Sequence, residues 1–349
     1  MLSTGRTLSS RRLTAAAILF SLVSAAPLLG QDWPATPPSE PPADLGPVSP
    51  NLEEIEYPYP VSYLELNRFG QDMRMAYMDV EPAGEPNGQT AVIFHGMNFY
   101  GEAYATTINA LREEGFRVVA LDQIGFGKST KAIVPYTFSF LAANSKAVLD
   151  EIGVEQAAIV GHSMGGMLAA RFAMHYPETT THLVLVNQIG LADSRQSRPW
   201  NDPGDGYDGP TDRERAYQSA VRTHTNYYPE WHPPQLEYVR RQFGHTLSGD
   251  YPVYSQVRAL LGHMVYSDPI VYDWQHIDSK ALVIGGADDQ IAEDWAGLAR
   301  NSAEELQNAT IILYDGVGHN PQQQIPDQFH SDLIRFLRSD PDQPASEWQ

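Results

Sequence analysis

The sequence predicts an α/β fold: a mostly parallel central sheet, helices on both of its faces, and a helical cap inserted late in the chain. Three observations carry this. Short apolar runs without strict alternation recur along the chain, as expected for strands buried on both faces. Segments of helical periodicity separate them, and strands alternating with helices call for parallel connections. The third observation is a gap in that rhythm, about residues 191–279, which holds 9 of the 18 Tyr and 3 of the 6 Trp in about a quarter of the length. A long aromatic-rich insertion between core strands reads as a cap over a site.

At the N-terminus, Arg6, Arg11 and Arg12 precede an apolar run over residues 13–29, and Val23 and Ala25 stand at A-x-A-like spacing near its end. The expectation is a secretory signal peptide over residues 1–30, cleaved between about Ala25 and Gly30. Pro27 and the shortness of the run argue against a retained membrane anchor, so the product is expected to be exported, periplasmic or secreted. Ser10-Arg11-Arg12 is only part of a twin-arginine signal and does not choose the route. Residues 31–60 are crowded with proline, which disfavours ladders and helix interiors, and read as a spacer or arm.

Residues 61–66 and 73–80 alternate apolar and polar around Phe69-Gly70-Gln71-Asp72, an antiparallel hairpin. Strands are then expected at 90–94, 117–121, 156–160, 182–186, 281–284 and 310–313. The intervening helices fall at 102–114, 137–152, 165–175, 291–306 and 327–337. The globular domain therefore spans 61–340, with a short tail over 341–349.

Composition excludes whole classes. With 42% hydrophobic and 19% charged residues the chain can bury a core. Lys+Arg 23 against Asp+Glu 43 gives a net charge of −20, which repels phosphate backbones and argues against nucleic acid as a partner. Zero cysteines exclude disulfides, thiolate metal sites and a thiol nucleophile. H-E-x-x-H and G-x-G-x-x-G are absent, so no metal or cofactor is expected. Gly125-Phe126-Gly127-Lys128-Ser129-Thr130 is no P-loop either, because Asp122 stands where that motif needs glycine.

The chemistry is carried by Gly161-His162-Ser163-Met164-Gly165. It follows one expected strand and opens a helix, where a tight turn lifts the Ser163 hydroxyl clear of the sheet. The helix N-terminus also places a backbone N–H where an oxyanion forms. His319 lies on a glycine-flanked loop after the last strand, at the same sheet edge, and is the expected base. An aspartate of Gly285-Gly286-Ala287-Asp288-Asp289 follows another strand at that edge and would orient it. Backbone N–H groups of Met97, in His95-Gly96-Met97-Asn98, and of Met164 would form the oxyanion hole, with His95 bracing the loop.

These motifs, with the loop Asp122–Ser129, stand in the order found in α/β-hydrolase-fold proteins, and the chain resembles that family over about residues 57–340. The resemblance implies a Ser163, Asp289, His319 triad: the family's G-x-x-D counted from Gly286 lands on Asp289, leaving Asp288 as a solvated carboxylate near a helix starting at about 291. Asp193 is the reserve candidate. It also implies a structural role for the Asp122–Ser129 loop. A serine at the elbow disfavours the haloalkane dehalogenase and epoxide hydrolase chemistries, which use aspartate there. The proline iminopeptidase signatures are missing, as are the GNSMGG and HGSGPG signatures usual in carbon–carbon hydrolases of ring-cleavage products. What remains is a capped serine hydrolase acting on a small ester or lactone, possessing an apolar or aromatic group if the cap tyrosines face the site and not one another. A C–C or amide hydrolase on the same triad, and a non-catalytic ligand-binding protein, are the alternatives.

Overall fold

A computed structural model describes residues 34–43, 45–200, 202–206 and 212–348. The signal-peptide reading lies outside these residues. Eight strands form one sheet: β1 (Val61–Arg68), β2 (Gln71–Val80), β3 (Thr90–Phe94), β4 (Arg117–Leu121), β5 (Ala157–His162), β6 (Thr180–Val186), β7 (Lys280–Gly286) and β8 (Ala309–Tyr314). The helices are α1 (Ala105–Glu113), α2 (Phe138–Glu151), α3 (Met164–His175), α4 (Arg213–Thr225), α5 (Leu236–His245), α6 (Tyr251–Ser267), α7 (Trp295–Glu305), α8 (Pro321–Gln324) and α9 (Pro326–Leu337).

The strand order is β1-β2-β4-β3-β5-β6-β7-β8, antiparallel at β1/β2 and β2/β4 and parallel from β4 onward. The chain crosses from β4 over β3 to β5, so β3 has later strands on both sides. Ligands bind at such a reversal, outside the carboxyl ends of the strands. The loop after β3 and the turn after β5 are therefore neighbours in space, as are the loops after β7 and β8.

The hairpin turn is tighter than expected. Only Phe69 and Gly70 form it, at φ 52° and 72°, the paired positive angles of a type I′ turn, while Gln71 and Asp72 already belong to β2. Beyond that the helices sit within a few residues of their predicted bounds, with one difference that touches the site. The helix expected from about 291 begins at Trp295, where the Asp294 side chain accepts from the Gly297 N–H at 3.0 Å and caps it.

The insertion is a cap of α4, α5 and α6, with its own small core around Tyr217, Val239 and Phe243. The proline-rich segment packs as an arm. Leu45 joins the cap core, the Val48 N–H donates to the Gly244 carbonyl at 3.0 Å, and Leu52 is fully buried in the main core. Tyr57 then donates to Asp122 at 2.7 Å. At the other end Ala345 is buried, and the Trp348 ring meets Phe336 edge-on.

Candidate active site

Ser163 sits between β5 and α3 at φ 58° and ψ −121°. A non-glycine residue in that region is strained, and strain of this kind is kept where the surroundings over-determine it. Here they do. The Ser163 N–H donates to the Val186 carbonyl on β6 at 3.0 Å. A Cβ on Gly165 would stand 2.1 Å from the Phe94 carbonyl oxygen, so only glycine lets α3 run this close to β3. A Cβ on Gly96 would come 3.0 Å from that of Ser163, which places the loop after β3 directly against the serine.

His319 is brought to the same edge by the loop after β8. Its Nδ1 lies 2.7 Å from Asp289 Oδ2, with both residues buried. A carboxylate that bonds Nδ1 leaves Nε2 as the nitrogen able to exchange a proton. Burial raises the Asp289 carboxyl, but the His319 imidazole, the Ile291 N–H at 2.9 Å and the Asn187 amide at 2.8 Å outweigh it and hold it below the usual range. Asp288 does something else: it is exposed, and its carboxylate accepts from the Gly316 N–H at 2.6 Å, fastening the histidine loop, not a helix start. Asp193 pairs with Arg195 at 2.8 Å and has no contact with His319.

Several contributors had no sequence signal. Asn187, just past the end of β6 with φ 38°, accepts from the Gly286 N–H at 2.9 Å as well as donating to Asp289, and so holds both Asp289 and the end of β7. His162 bridges loops: its Nε2 lies 2.9 Å from the His319 carbonyl and its Nδ1 2.7 Å from the Tyr104 hydroxyl. A carbonyl only accepts, so Nε2 carries the proton and Nδ1 accepts from Tyr104. Burial, then the neighbouring His319, pushes His162 down to about 3, which keeps it neutral. Tyr227 from the cap stacks on the His319 ring at 5.0 Å and 17°, and its carbonyl accepts the His319 N–H at 2.7 Å.

Met164 opens α3 and Met97 lies on the loop after β3, and neither N–H has an acceptor among the described residues. His95 braces that loop, accepting from the Gln123 N–H at 3.1 Å. Asp122 is structural: it accepts from the N–H groups of Gly101 and Lys128, each at 2.8 Å, as well as from Tyr57. No cluster of metal-ligating side chains occurs among the described residues.

Two cavities flank the site. One, of about 220 Å³, lies beyond the ends of β6 and β7 and is of mixed lining, with Leu191, Val265 and Trp295 beside Ser194, Ser197 and Arg198. The other, of about 160 Å³, is polar and lies between the loop after β3 and the cap. The cap tyrosines divide between tasks: Tyr217 packs the cap core, Tyr227 covers His319, and Tyr238, Tyr251 and Tyr254 line the polar cavity.

Residues 91–324 match the family described as alpha/beta hydrolase fold. The chain belongs to the α/β-hydrolase family. A solved structure described as a probable hydrolytic enzyme from Pseudomonas aeruginosa PAO1 shares 34% identity over 84% of this chain and 99% of its own, at a TM-score of 0.80. The enol-lactonase from Burkholderia xenovorans LB400 shares the fold at TM-score 0.65 and 20% identity, over 79% of this chain and all of its own. In sequence the chain is 26% identical, over 79% of its length and 94% of the relative's, to a 2-hydroxy-6-oxononadienedioate/2-hydroxy-6-oxononatrienedioate hydrolase of Paraburkholderia phymatum. It is also 26% identical, over 75% of its length and 95% of the relative's, to a bifunctional esterase/perhydrolase of Acinetobacter calcoaceticus. This α/β-hydrolase is an enzyme of that family by these likenesses.

Proposed function

We propose that the protein is a serine hydrolase that cleaves a carboxylic ester or lactone through an acyl-enzyme. The observation that carries this is the buried Asp289–His319 pair, tied through His162 to the turn that bears a strained Ser163, with the Met97 and Met164 N–H groups unpartnered among the described residues. His319 Nε2 takes the Ser163 proton as Oγ attacks the carbonyl, and Asp289 stabilises the resulting imidazolium. The N–H groups of Met97 and Met164 receive the oxyanion. His319 then protonates the leaving alcohol, activates a water, and the acyl group is released as the acid. The Leu191, Val265 and Trp295 side chains lining the cavity beyond β6 and β7 support a hydrophobic acyl or alcohol half.

The esterase and lactonase names among the similar proteins support this reading, and the dienedioate hydrolase supports a second, C–C cleavage on the same triad. His162 stands where the GNSMGG signature places asparagine, which favours the ester. A panel of p-nitrophenyl esters, aryl esters, lactones and dienones, with fluorophosphonate labelling of Ser163, tests it. Ester or lactone turnover lost in Ser163→Ala is expected, by about 10³-fold or more. Dienone turnover alone would move the assignment to C–C cleavage, and no labelling would leave a ligand-binding protein. We also propose export, on the charged and apolar N-terminus. N-terminal sequencing of native protein should find a start between about residues 26 and 31, and one at Met1 would overturn it.

A further inference from the structure

We propose that the polar cavity is a carboxylate subsite with Arg258 as its cation, so that the substrate carries an acidic group besides its scissile bond. This rests on the hydrolytic reading of Ser163 and names the class of substrate.

Arg258 projects from α6 onto the loop after β3. Its Nη1 donates to the Met97 carbonyl at 2.5 Å and its Nη2 to Asn98 Oδ1 at 2.6 Å. Both acceptors are neutral. A guanidinium has five N–H donors, so three are left without an acceptor among the described residues. No carboxylate pairs with it there, in a chain with 43 acidic and 23 basic residues. The contrast is Arg241, which lines the same cavity and pairs with Glu102 and with Glu237 at 3.4 Å. A partly buried cation without a counterion is costly, and an incoming anion relieves that cost.

The rest of the wall is rich in donors. The Tyr100 hydroxyl meets the Tyr254 hydroxyl at 3.3 Å and His245 Nε2 at 3.4 Å, both long for hydroxyl bonds. His245 Nδ1 faces the Val48 carbonyl at 3.3 Å, so its proton sits there, Nε2 accepts from Tyr100, and Tyr254 donates to the Tyr100 oxygen in a long bond that an incoming acceptor can take over. Tyr238 and Tyr251 add two more hydroxyls. A wall of guanidinium and phenol donors fits an acceptor-rich group, and the planar fork of arginine matches a carboxylate.

Position links this cavity to the reaction. Arg258 holds the carbonyl of Met97, whose own N–H is the proposed oxyanion donor. A substrate with its carbonyl in that hole therefore reaches the cavity past Asn98.

Two matched pairs test the proposal: the mono-p-nitrophenyl ester of glutaric acid against p-nitrophenyl pentanoate, and 3-acetoxybenzoate against phenyl acetate. In at least one pair kcat/KM should favour the acidic member by about 100-fold. Arg258→Gln should bring that ratio near unity, chiefly through KM, while Arg258→Lys keeps part of it and Tyr254→Phe lowers it several-fold. No preference in either pair would overturn the subsite. Equal losses on acidic and neutral members would make Arg258 only a brace for the loop. A readout independent of turnover is the Tm of Ser163→Ala with millimolar glutarate, which should rise, and should not rise with Arg258→Gln added. That rise in a protein without esterase activity would uphold the subsite while the esterase reading fails. An equal rise with inorganic phosphate would overturn the carboxylate assignment.

Discussion

The imidazole of His162 donates to the backbone carbonyl of His319 across 2.9 Å, so the residue before Ser163 holds the loop that carries His319. The same ring accepts from Tyr104, whose hydroxyl oxygen in turn accepts the Gly96 N–H at 3.3 Å. One side chain thus links the loop after β3, the turn at Ser163 and the His319 loop. His162→Ala should leave the triad residues in place but loosen both loops. Stranding buried polar groups costs about 1–3 kcal/mol, so kcat should fall about 10- to 100-fold with a smaller change in KM. Unchanged kcat in a folded variant would remove this positioning role.

Asp289→Asn should lower kcat by about 10⁴-fold, because His319 loses the partner that sets its tautomer. Asp288→Asn, measured beside it, should keep kcat within a few-fold and lose about 1 kcal/mol of stability through the Gly316 bond. The opposite order of effects would exchange the two roles.

Asn187→Ala removes one of the donors that hold Asp289 and frees the end of β7. A drop in kcat of about 10- to 100-fold is expected, with the pH–rate profile moved because the acid is less well stabilised as its anion. A profile and kcat identical to the parent would show that His319 and the Ile291 N–H suffice.

Stability should fall steeply below neutral pH. Burial pushes His162 and His224 down to about 3, and His182, His245 and His330 to about 4, from 6.5. Each binds fewer protons folded than unfolded, so as pH drops below 6.5 the unfolded chain gains protons that the native state refuses. The loss is up to about 1.4 kcal/mol per pH unit for each group and ends below the folded value. Urea midpoints at pH 7.5, 6.5, 5.5 and 4.5 should decline with a slope of several protons, and His182→Gln should lower that slope by about one. A flat series would contradict the buried neutral histidines.

Leu52 tests whether the proline-rich arm belongs to the fold. It is 0% exposed and its carbonyl accepts from Lys128 Nζ at 2.6 Å. Leu52→Ala should cost about 2–4 kcal/mol in urea unfolding. A variant as stable as the parent would mean that the arm detaches freely.

By itself the sequence determined the alternation of strands and helices, the elbow at Ser163 and the loops carrying Asp289 and His319. Those features are local: apolar periodicity marks buried strands, and glycines spaced about a serine mark a sharp turn. Asn187, His162 and Arg258 carry no such mark, because their roles depend on partners 102, 157 and 161 residues away in the chain. The arm shows the same limit, since prolines forbid regular structure but do not say which surface an irregular segment covers. Only the tertiary structure decided these points. The strand order sets β3 beside β5 and β6 beside β7, and the cap lies over the ends, so side chains remote in sequence meet at one edge of the sheet.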